Sequence, residues 1–146
     1  MNTVTDVYPF DQALVDENHH VRNAAFDCLR DLFKIFTNDE ITQTIEAAKK
    51  TISAKDSDDK LKSKALITLM SLVLAYPHEI EEWMEAPLRL IVKNKSATNL
   101  VKDRVKDFFS KFWKTQKGSK HLNRRELPID LHDSIREISN PHSYFA

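Results

Sequence analysis

Hydrophobic residues recur along this chain with the spacing of a single helix face. Sets of four with the spacing i, i+4, i+8 and i+11 begin at positions 21, 61 and 101: Val21, Ala25, Leu29 and Leu32; Leu61, Ala65, Leu69 and Leu72; Val101, Val105, Phe109 and Phe112. This spacing places the four members of each set on one side of an α-helix. A second type of set recurs after thirty-nine residues: Ile41, Ile45, Ala48 and Ile52, then Ile80, Met84, Pro87 and Ile91.

These patterns predict helices near 19–36, 39–54, 58–76, 79–93, 97–116 and 129–138. Residues suited to N-caps occur at three of the predicted starts, at Asn18 or its neighbours, at Ser57-Asp58 and at Ser96 or Thr98. Pro87 falls inside the fourth predicted helix, and we expect it to kink that helix or weaken its last turns.

Paired helices that repeat about every forty residues are typical of HEAT-like solenoids. We therefore predict an all-α, HEAT-like α-solenoid of stacked antiparallel helical hairpins. The HEAT-like helical repeat domain covers residues 1–138, with repeats near 19–54, 58–93 and 97–138, and residues 139–146 form a flexible C-terminal tail.

Composition agrees with a helical protein and narrows its surroundings. The chain has one glycine and five prolines, too few for the many tight turns of a β-rich fold. The single cysteine, Cys28, cannot form an internal disulfide, which indicates a reducing compartment, and we expect it to be a small core residue. The longest apolar run, 72–76, is far shorter than the roughly 20 residues of a membrane span, so we predict no membrane partner.

The net charge of zero hides a basic segment. Residues 89–125 carry 12 basic and 2 acidic side chains, whereas residues 1–60 carry 7 basic and 12 acidic ones. A possible basic partner surface comprises Lys102, Arg104, Lys106, Lys111 and Lys114. Together with the interleaved aromatic residues it is compatible with a nucleic-acid- or chromatin-associated scaffold. We favour core aromatics with a solvated basic face, and an acidic protein partner is a third interpretation.

Residues for catalysis are not arranged in any pattern that we can identify. The six histidines form no His-Glu-x-x-His motif, and one glycine does not allow a Gly-rich phosphate loop. We therefore predict no enzyme activity, no metal site and no cofactor.

Hydrophobic residues near the start of the chain suggest that the repeats continue towards the N-terminus. Phe10, Ala13 and Leu14 could end an earlier hairpin, so we expect the chain to be the terminal portion of a longer HEAT solenoid, whose remainder would then be a partner. We also expect the isolated chain to expose an apolar N-terminal face and to self-associate. A truncated fragment without independent activity is an alternative.

From about residue 65 onwards, an ordered series of features resembles a known family. The features are the run 72–77 (Leu-Val-Leu-Ala-Tyr-Pro), Trp83-Met84 with Leu88, Val101-Lys102 with Val105 and Phe108, Lys114-Thr115, and the final Ser143-Tyr-Phe-Ala146. In this order they resemble the C-terminal domain of the large HEAT-repeat proteasome activators. That is the proteasome activator complex subunit 4 family, which includes the fungal bleomycin-sensitivity-type activator.

The resemblance implies a docking role for the tail 139–146. Members of the family cap the end ring of the proteasome core particle and insert a terminal hydrophobic–Tyr–X motif between α-subunits, which promotes gate opening without ATP. In this chain the motif corresponds to Tyr144, Phe145 and Ala146, with Phe145 replacing the usual tyrosine. The resemblance also implies the α-ring of the core particle as partner, and the nucleus and cytoplasm as location.

Overall fold

The computed structural model describes residues 12–77, 80–118 and 127–139. Its described residues contain six α-helices and no strand, which confirms the all-α prediction. The helices are α1 (His19–Phe33), α2 (Asn38–Ser53), α3 (Asp59–Leu74), α4 (Glu85–Lys93), α5 (Asn99–Gly118) and α6 (Ile129–Ser139). Short 3₁₀ turns precede α1 (Gln12–Val15) and α4 (Glu82–Met84).

The third helix lies at the centre of the stack. It packs against α1, α2, α4 and α5, and its residues from Ala65 to Leu74 are all buried. A helix that is apolar on every side needs neighbours on every side, because any uncovered face would leave hydrophobic surface in water. The pattern of α3 therefore determines how the other helices are arranged around it.

Two hydrogen bonds to α1 add to this packing, one from α3 and one from Tyr76, just after α3. The hydroxyl of Ser71 donates to the backbone oxygen of Phe26 at 3.0 Å, and the hydroxyl of Tyr76 donates to the backbone oxygen of Phe33 at 2.7 Å. Both donors are at least partly removed from water, so each would be costly to bury without its acceptor. The pair therefore fixes the position of α1 along α3 in addition to the hydrophobic contacts.

Capping residues set the starts of the helices. The side chains of Asn18 and Asp58 accept hydrogen bonds from the backbone of the first turns of α1 and α3, each at 2.8 Å. Thr98 accepts from the backbone nitrogen of Val101 at 3.1 Å at the start of α5. Thr37 and Glu40 form a reciprocal capping box at the start of α2. The caps predicted at Asn18, Asp58 and Thr98 are thus confirmed.

The expectation for Pro87 was wrong. The α-helix begins at Glu85, not near residue 79, so Pro87 is its third residue and lies in the first turn. Amide hydrogens of a first turn have no partner within the helix, and a proline there loses no hydrogen bond. Pro87 therefore marks where α4 begins and does not weaken its last turns.

The expectation for Cys28 was also wrong, because this residue is exposed. The core-facing side of α1 is formed by Ala25, Phe26, Leu29 and Phe33, and Cys28 lies away from it. A neighbour in sequence to a buried leucine is rotated by about 100° on a helix and need not share its environment.

Candidate binding surfaces

The chain end predicted to dock, Tyr144, Phe145 and Ala146, lies outside the described residues. The helix that precedes it, α6, is described. Its residues Leu131 and Ile135 are buried in the core, so α6 is held to the rest of the protein. A contact made by residues 144–146 would thus act on a chain that is fixed five residues earlier, at Ser139.

Two side-chain contacts fix α6 against its neighbours. The rings of Trp113 and His132 meet edge to face, with their centres 4.8 Å apart. Arg89 of α4 forms two hydrogen bonds with the carboxylate of Asp130, at 2.9 and 3.4 Å. The hydrogen bonds from Arg89 lower the pKa of Asp130 below its ordinary value, which keeps this exposed pair ionised.

The five residues of the predicted basic surface have different environments. Lys102, Lys106 and Lys114 are exposed and form no ion pair with another described residue. Lys111 is exposed as well, but its Nζ lies 3.2 Å from a carboxylate oxygen of Asp107. These three are thus unpaired within the described residues, and in that sense we call Lys102, Lys106 and Lys114 the free lysines.

Arg104 is a packing residue and not part of an open basic face. Its guanidinium carbon lies 4.5 Å from the centre of the Phe26 ring, and its Nη2 donates to the side-chain oxygen of Asn23. Burial lowers the pKa of Arg104, although the nearby charge of Asp107 opposes this change. A cation held over an aromatic face in this way joins α5 to α1.

A groove of about 490 Å³ lies between α1 and α5. Its walls carry charges of both signs, and Phe26 and Leu100 add apolar surface. The lining residues are Arg22, Asn23, Phe26, Asp27, Leu100, Asp103, Arg104, Asp107 and Lys111. Because three carboxylates lie beside three cations, the groove does not favour binding of a polyanion such as a nucleic-acid backbone.

Three of the four aromatic residues interleaved with the basic ones are in the core, whereas Trp113 is partly buried against His132. Phe108, Phe109 and Phe112 are each at most 2% exposed. Phe108 contacts the other two rings, with centres 4.8 and 6.3 Å away. Since their faces are covered, these rings cannot stack on nucleobases. The structure thus supports core aromatics with a solvated basic face over a nucleic-acid platform.

The contact between Arg104 and Phe26 was missed in the sequence. The two residues belong to different predicted repeats, and neither position carries a local motif. The only available signal was that Arg104 lies next to the buried face of α5 and not opposite it. That signal indicates partial burial, but it does not identify the partner.

Other classes of site receive no support within the described ranges. Residues 12–77, 80–118 and 127–139 contain no group of three or more His, Cys, Asp or Glu side chains placed to hold a metal ion. None of the described helices combines the length and the apolar character required to cross a membrane.

The described residues form a stack of six α-helices, which is consistent with an all-α helical-repeat fold. Residues 60–146, more than half of the chain, match the family described as proteasome activator complex subunit 4-like, C-terminal. The chain therefore belongs to this family, which confirms the resemblance seen in the sequence and extends it from residue 65 back to residue 60. Comparisons with curated proteins and with solved structures gave no match.

Membership has two general consequences. Proteasome activators bind the proteasome, so a proteasome is the partner that the family implies. They are generally not enzymes themselves but act on a separate protease.

Proposed function

We propose that this chain is the proteasome-docking portion of an ATP-independent activator. Tyr144, Phe145 and Ala146 enter a pocket between α-subunits of the core particle, and their insertion promotes opening of the gate. One observation carries the proposal: the family match includes residues 144–146, so the chain end falls within the region shared by the family.

The chemistry of these three residues suits insertion into a pocket. Burying the rings of Tyr144 and Phe145 would contribute about 1.5–3 kcal/mol each. A carboxylate on Ala146 would pair with a basic group or backbone amides, a known mode of capturing peptide ends. Anchoring of α6 by Leu131 and Ile135 supports this, because a held helix raises the local concentration of the tail at the pocket.

The phenylalanine at position 145 is expected to affect binding to the core particle and opening of its gate differently. Family motifs usually carry tyrosine at this position, and phenylalanine keeps the ring but has no hydroxyl. A hydrogen bond from that hydroxyl would be worth about 0.5–1.5 kcal/mol. Docking therefore needs only the residues present, whereas gate opening is expected to be weaker than with tyrosine.

The free lysines give the tail a second point of attachment. Lys102, Lys106 and Lys114 are exposed on α5, which contacts α6. We propose that these lysines bind an acidic surface on the rim of the α-ring. A nucleic-acid or chromatin role is less well supported, because the aromatic rings are buried and Asp103 and Asp107 lie on the same helix.

The tail is tested by deleting residues 144–146 and measuring co-purification with core particles. Binding should fall to background, because both aromatic anchors and the carboxylate are lost. A matched control adds one glycine after Ala146, which keeps both rings and displaces the carboxylate; it should bind more weakly than the native chain. Undiminished binding after the deletion would remove the tail from the mechanism.

Gate opening is tested with Phe145→Tyr in a fluorogenic peptide assay. Peptidase stimulation should rise, since the restored hydroxyl can bond the pocket. Core particles with a permanently open gate serve as the control, and the variant should give no extra stimulation there. Equal stimulation by both chains on closed particles would mean that the hydroxyl has no role.

The lysine assignment is tested by reversing all three charges with Lys102→Glu, Lys106→Glu and Lys114→Glu. Binding to core particles should weaken and lose much of its salt dependence. The matched control reverses three other exposed lysines, Lys49, Lys50 and Lys55. Salt-dependent DNA binding by the native chain that the triple variant loses would favour the nucleic-acid alternative instead.

The remaining assignments follow from the family. We propose the nucleus and cytoplasm as location, which imaging of a tagged chain would check, and a binding role without catalysis. The remainder of a longer HEAT solenoid is a further proposed partner. If the chain is a truncated fragment without activity, no form of it should bind core particles. The co-purification assay distinguishes this alternative from the docking proposal.

A further inference from the structure

Ser139, the last residue of α6, places a hydroxyl where this helix ends and residues 140–146 begin. Its side chain is half-buried, and its hydroxyl donates to the backbone oxygens of Ile135 at 3.0 Å and Arg136 at 3.2 Å. The oxygen of Arg136 belongs to the last turn, whose carbonyls have no backbone partner within the helix. The hydroxyl of Ser139 therefore helps to close the end of α6.

A basic residue lies three positions before this serine. Arg136 is exposed, and among the arginines of the chain it alone is followed three residues later by serine or threonine. A guanidinium at a fixed distance from a hydroxyl can be recognised by carboxylates, which bind arginine in a bidentate manner. Protein kinases of the basophilic class select serines through this kind of charge pattern.

We propose that Ser139 is a phosphorylation site for a basophilic kinase, and that the phosphate loosens the end of α6 and weakens docking to the core particle. The effect on docking rests on the proposed function, whereas the site and its effect on α6 do not. In the transfer, Oγ of Ser139 forms a bond to the γ-phosphorus of ATP, and the bond from that phosphorus to the bridging oxygen breaks. ADP leaves, and the hydroxyl proton is released.

The position of Ser139 at a helix end makes its hydroxyl reachable. Helix ends open more readily than helix centres, and only the last turn has to open for this hydroxyl to leave its two acceptors. Ser134 has the same kind of bond, from its hydroxyl to the backbone oxygen of Asp130 at 3.0 Å. It lies inside the helix, however, with Leu131 three positions before it. Ser134 is therefore a matched comparison within α6.

A phosphate on Ser139 opposes the end of α6 in two ways. The phosphoester oxygen cannot donate to the oxygens of Ile135 and Arg136, and a charge of about −2 lies beside the negative end of the helix dipole. Pairing of the phosphate with Arg136 offsets only part of this, because an exposed ion pair contributes little. Ile138, which packs partly buried against the core, belongs to the turn that loosens.

A looser end of α6 weakens docking of residues 144–146. The chain between the anchored part of α6 and these residues becomes longer, which lowers the effective concentration of the tail at its pocket. The phosphate is also repelled by the acidic surface that we proposed as the partner of the free lysines. Both effects lower the affinity for the core particle.

The first experiment treats the full chain with ATP, Mg²⁺ and a purified kinase that selects arginine three positions before the acceptor serine. Mass spectrometry should place the phosphate on Ser139. Arg136→Gln should slow its incorporation at least about tenfold, since a charged bidentate contact is lost. Ser139→Ala should abolish the modification, and Ser134→Ala should leave it unchanged. Phosphate mainly on another residue, or incorporation indifferent to Arg136→Gln, would overturn the assignment of the site.

The second experiment compares the phosphorylated and unmodified chains. Amide hydrogen exchange in peptides from α6 should become at least about twofold faster, while peptides from α3 stay unchanged. Binding to core particles should weaken, and kinase-treated Ser139→Ala should bind like the unmodified chain. Unchanged exchange in α6, or unchanged binding after complete phosphorylation, would overturn the effect. If the unmodified chain does not bind core particles, the proposed function fails, and phosphate mapping and exchange still decide the role of Ser139.

Discussion

The two helices α1 and α2 differ from the four that follow in how they relate to the family. The family match begins at Lys60, in the first turn of α3, and so omits α1 and α2. Yet α3 packs extensively against these two helices, and Ser71 of α3 and Tyr76 just after it donate hydrogen bonds to α1. The boundary of the sequence shared with the family is therefore not the boundary of the folding unit.

The physical reason lies in the pattern of each helix. Each of α1 and α2 has one core-facing side, formed in α2 by Ile41, Ile45, Ala48 and Ile52, while α3 is buried on all sides. Amphipathic helices can cover a core with many different sequences, because only the apolar spacing is required. A family pattern can therefore fade across α1 and α2 while their structural role is unchanged.

Removing residues 1–59, and with them α1 and α2, should have the largest effect on the stability of the remaining helices. The remaining chain would expose the side of α3 that packs on α1 and α2 in the native chain, where the hydroxyl of Ser71 bonds the backbone oxygen of Phe26. We expect loss of cooperative unfolding and concentration-dependent aggregation, measured by thermal denaturation and light scattering. A monomeric fragment 60–146 that melts cooperatively would show that the family boundary is also a folding boundary.

Leu69→Ala should have the next largest effect. Leu69 is fully buried at the centre of α3, and its truncation removes contacts and leaves a cavity. We expect a loss of about 2–5 kcal/mol in the free energy of unfolding, measured by urea denaturation. Ile35→Ala is the control, because that side chain is 77% exposed and should change stability by less than about 0.5 kcal/mol.

Tyr76→Phe tests the hydrogen bond between the family-matched region and α1. The variant keeps the ring, including its edge-to-face contact with Trp83, but loses the hydrogen bond to Phe33. Near neutral pH we expect a loss of about 1 kcal/mol in the free energy of unfolding, measured by urea denaturation.

The same variant should also change the pH dependence of stability. Burial, with the charge of Glu81 as a second cause, raises the pKa of Tyr76 above its ordinary value of 10.0. The unfolded state therefore loses this proton first as pH rises, so the native chain loses stability above pH 10.0 and the phenylalanine variant is spared that loss. A stability difference that stayed constant through this range would contradict the assigned environment of Tyr76.

Periodicity in the sequence was sufficient for the all-α fold but not for the contacts between helices. It located Leu29, Leu69 and Phe109 on buried faces, since apolar side chains on one side of a helix have to be covered. The wrong expectation for Cys28 came from its place next to Leu29 and not from the periodicity, because adjacent residues face different sides of a helix. Periodicity also gave no indication of the contact between Arg104 and Phe26, which depends on how separate helices are packed. The docking motif at residues 144–146 stays a prediction.

The smallest expected effect belongs to Arg89→Gln, within the family-matched region. Arg89 of α4 donates hydrogen bonds to Asp130 of α6 and to Glu85. From these contacts alone, the ion pair would be expected to stabilise the position of α6. Both side chains are exposed, however, at 43% for Arg89 and 72% for Asp130, so water and salt screen the attraction and side-chain ordering opposes it. We expect the midpoint of thermal unfolding to stay within experimental error at moderate salt. A clear drop that added salt reproduces in the native chain would instead show that α6, and with it the base of the tail, depends on this ion pair.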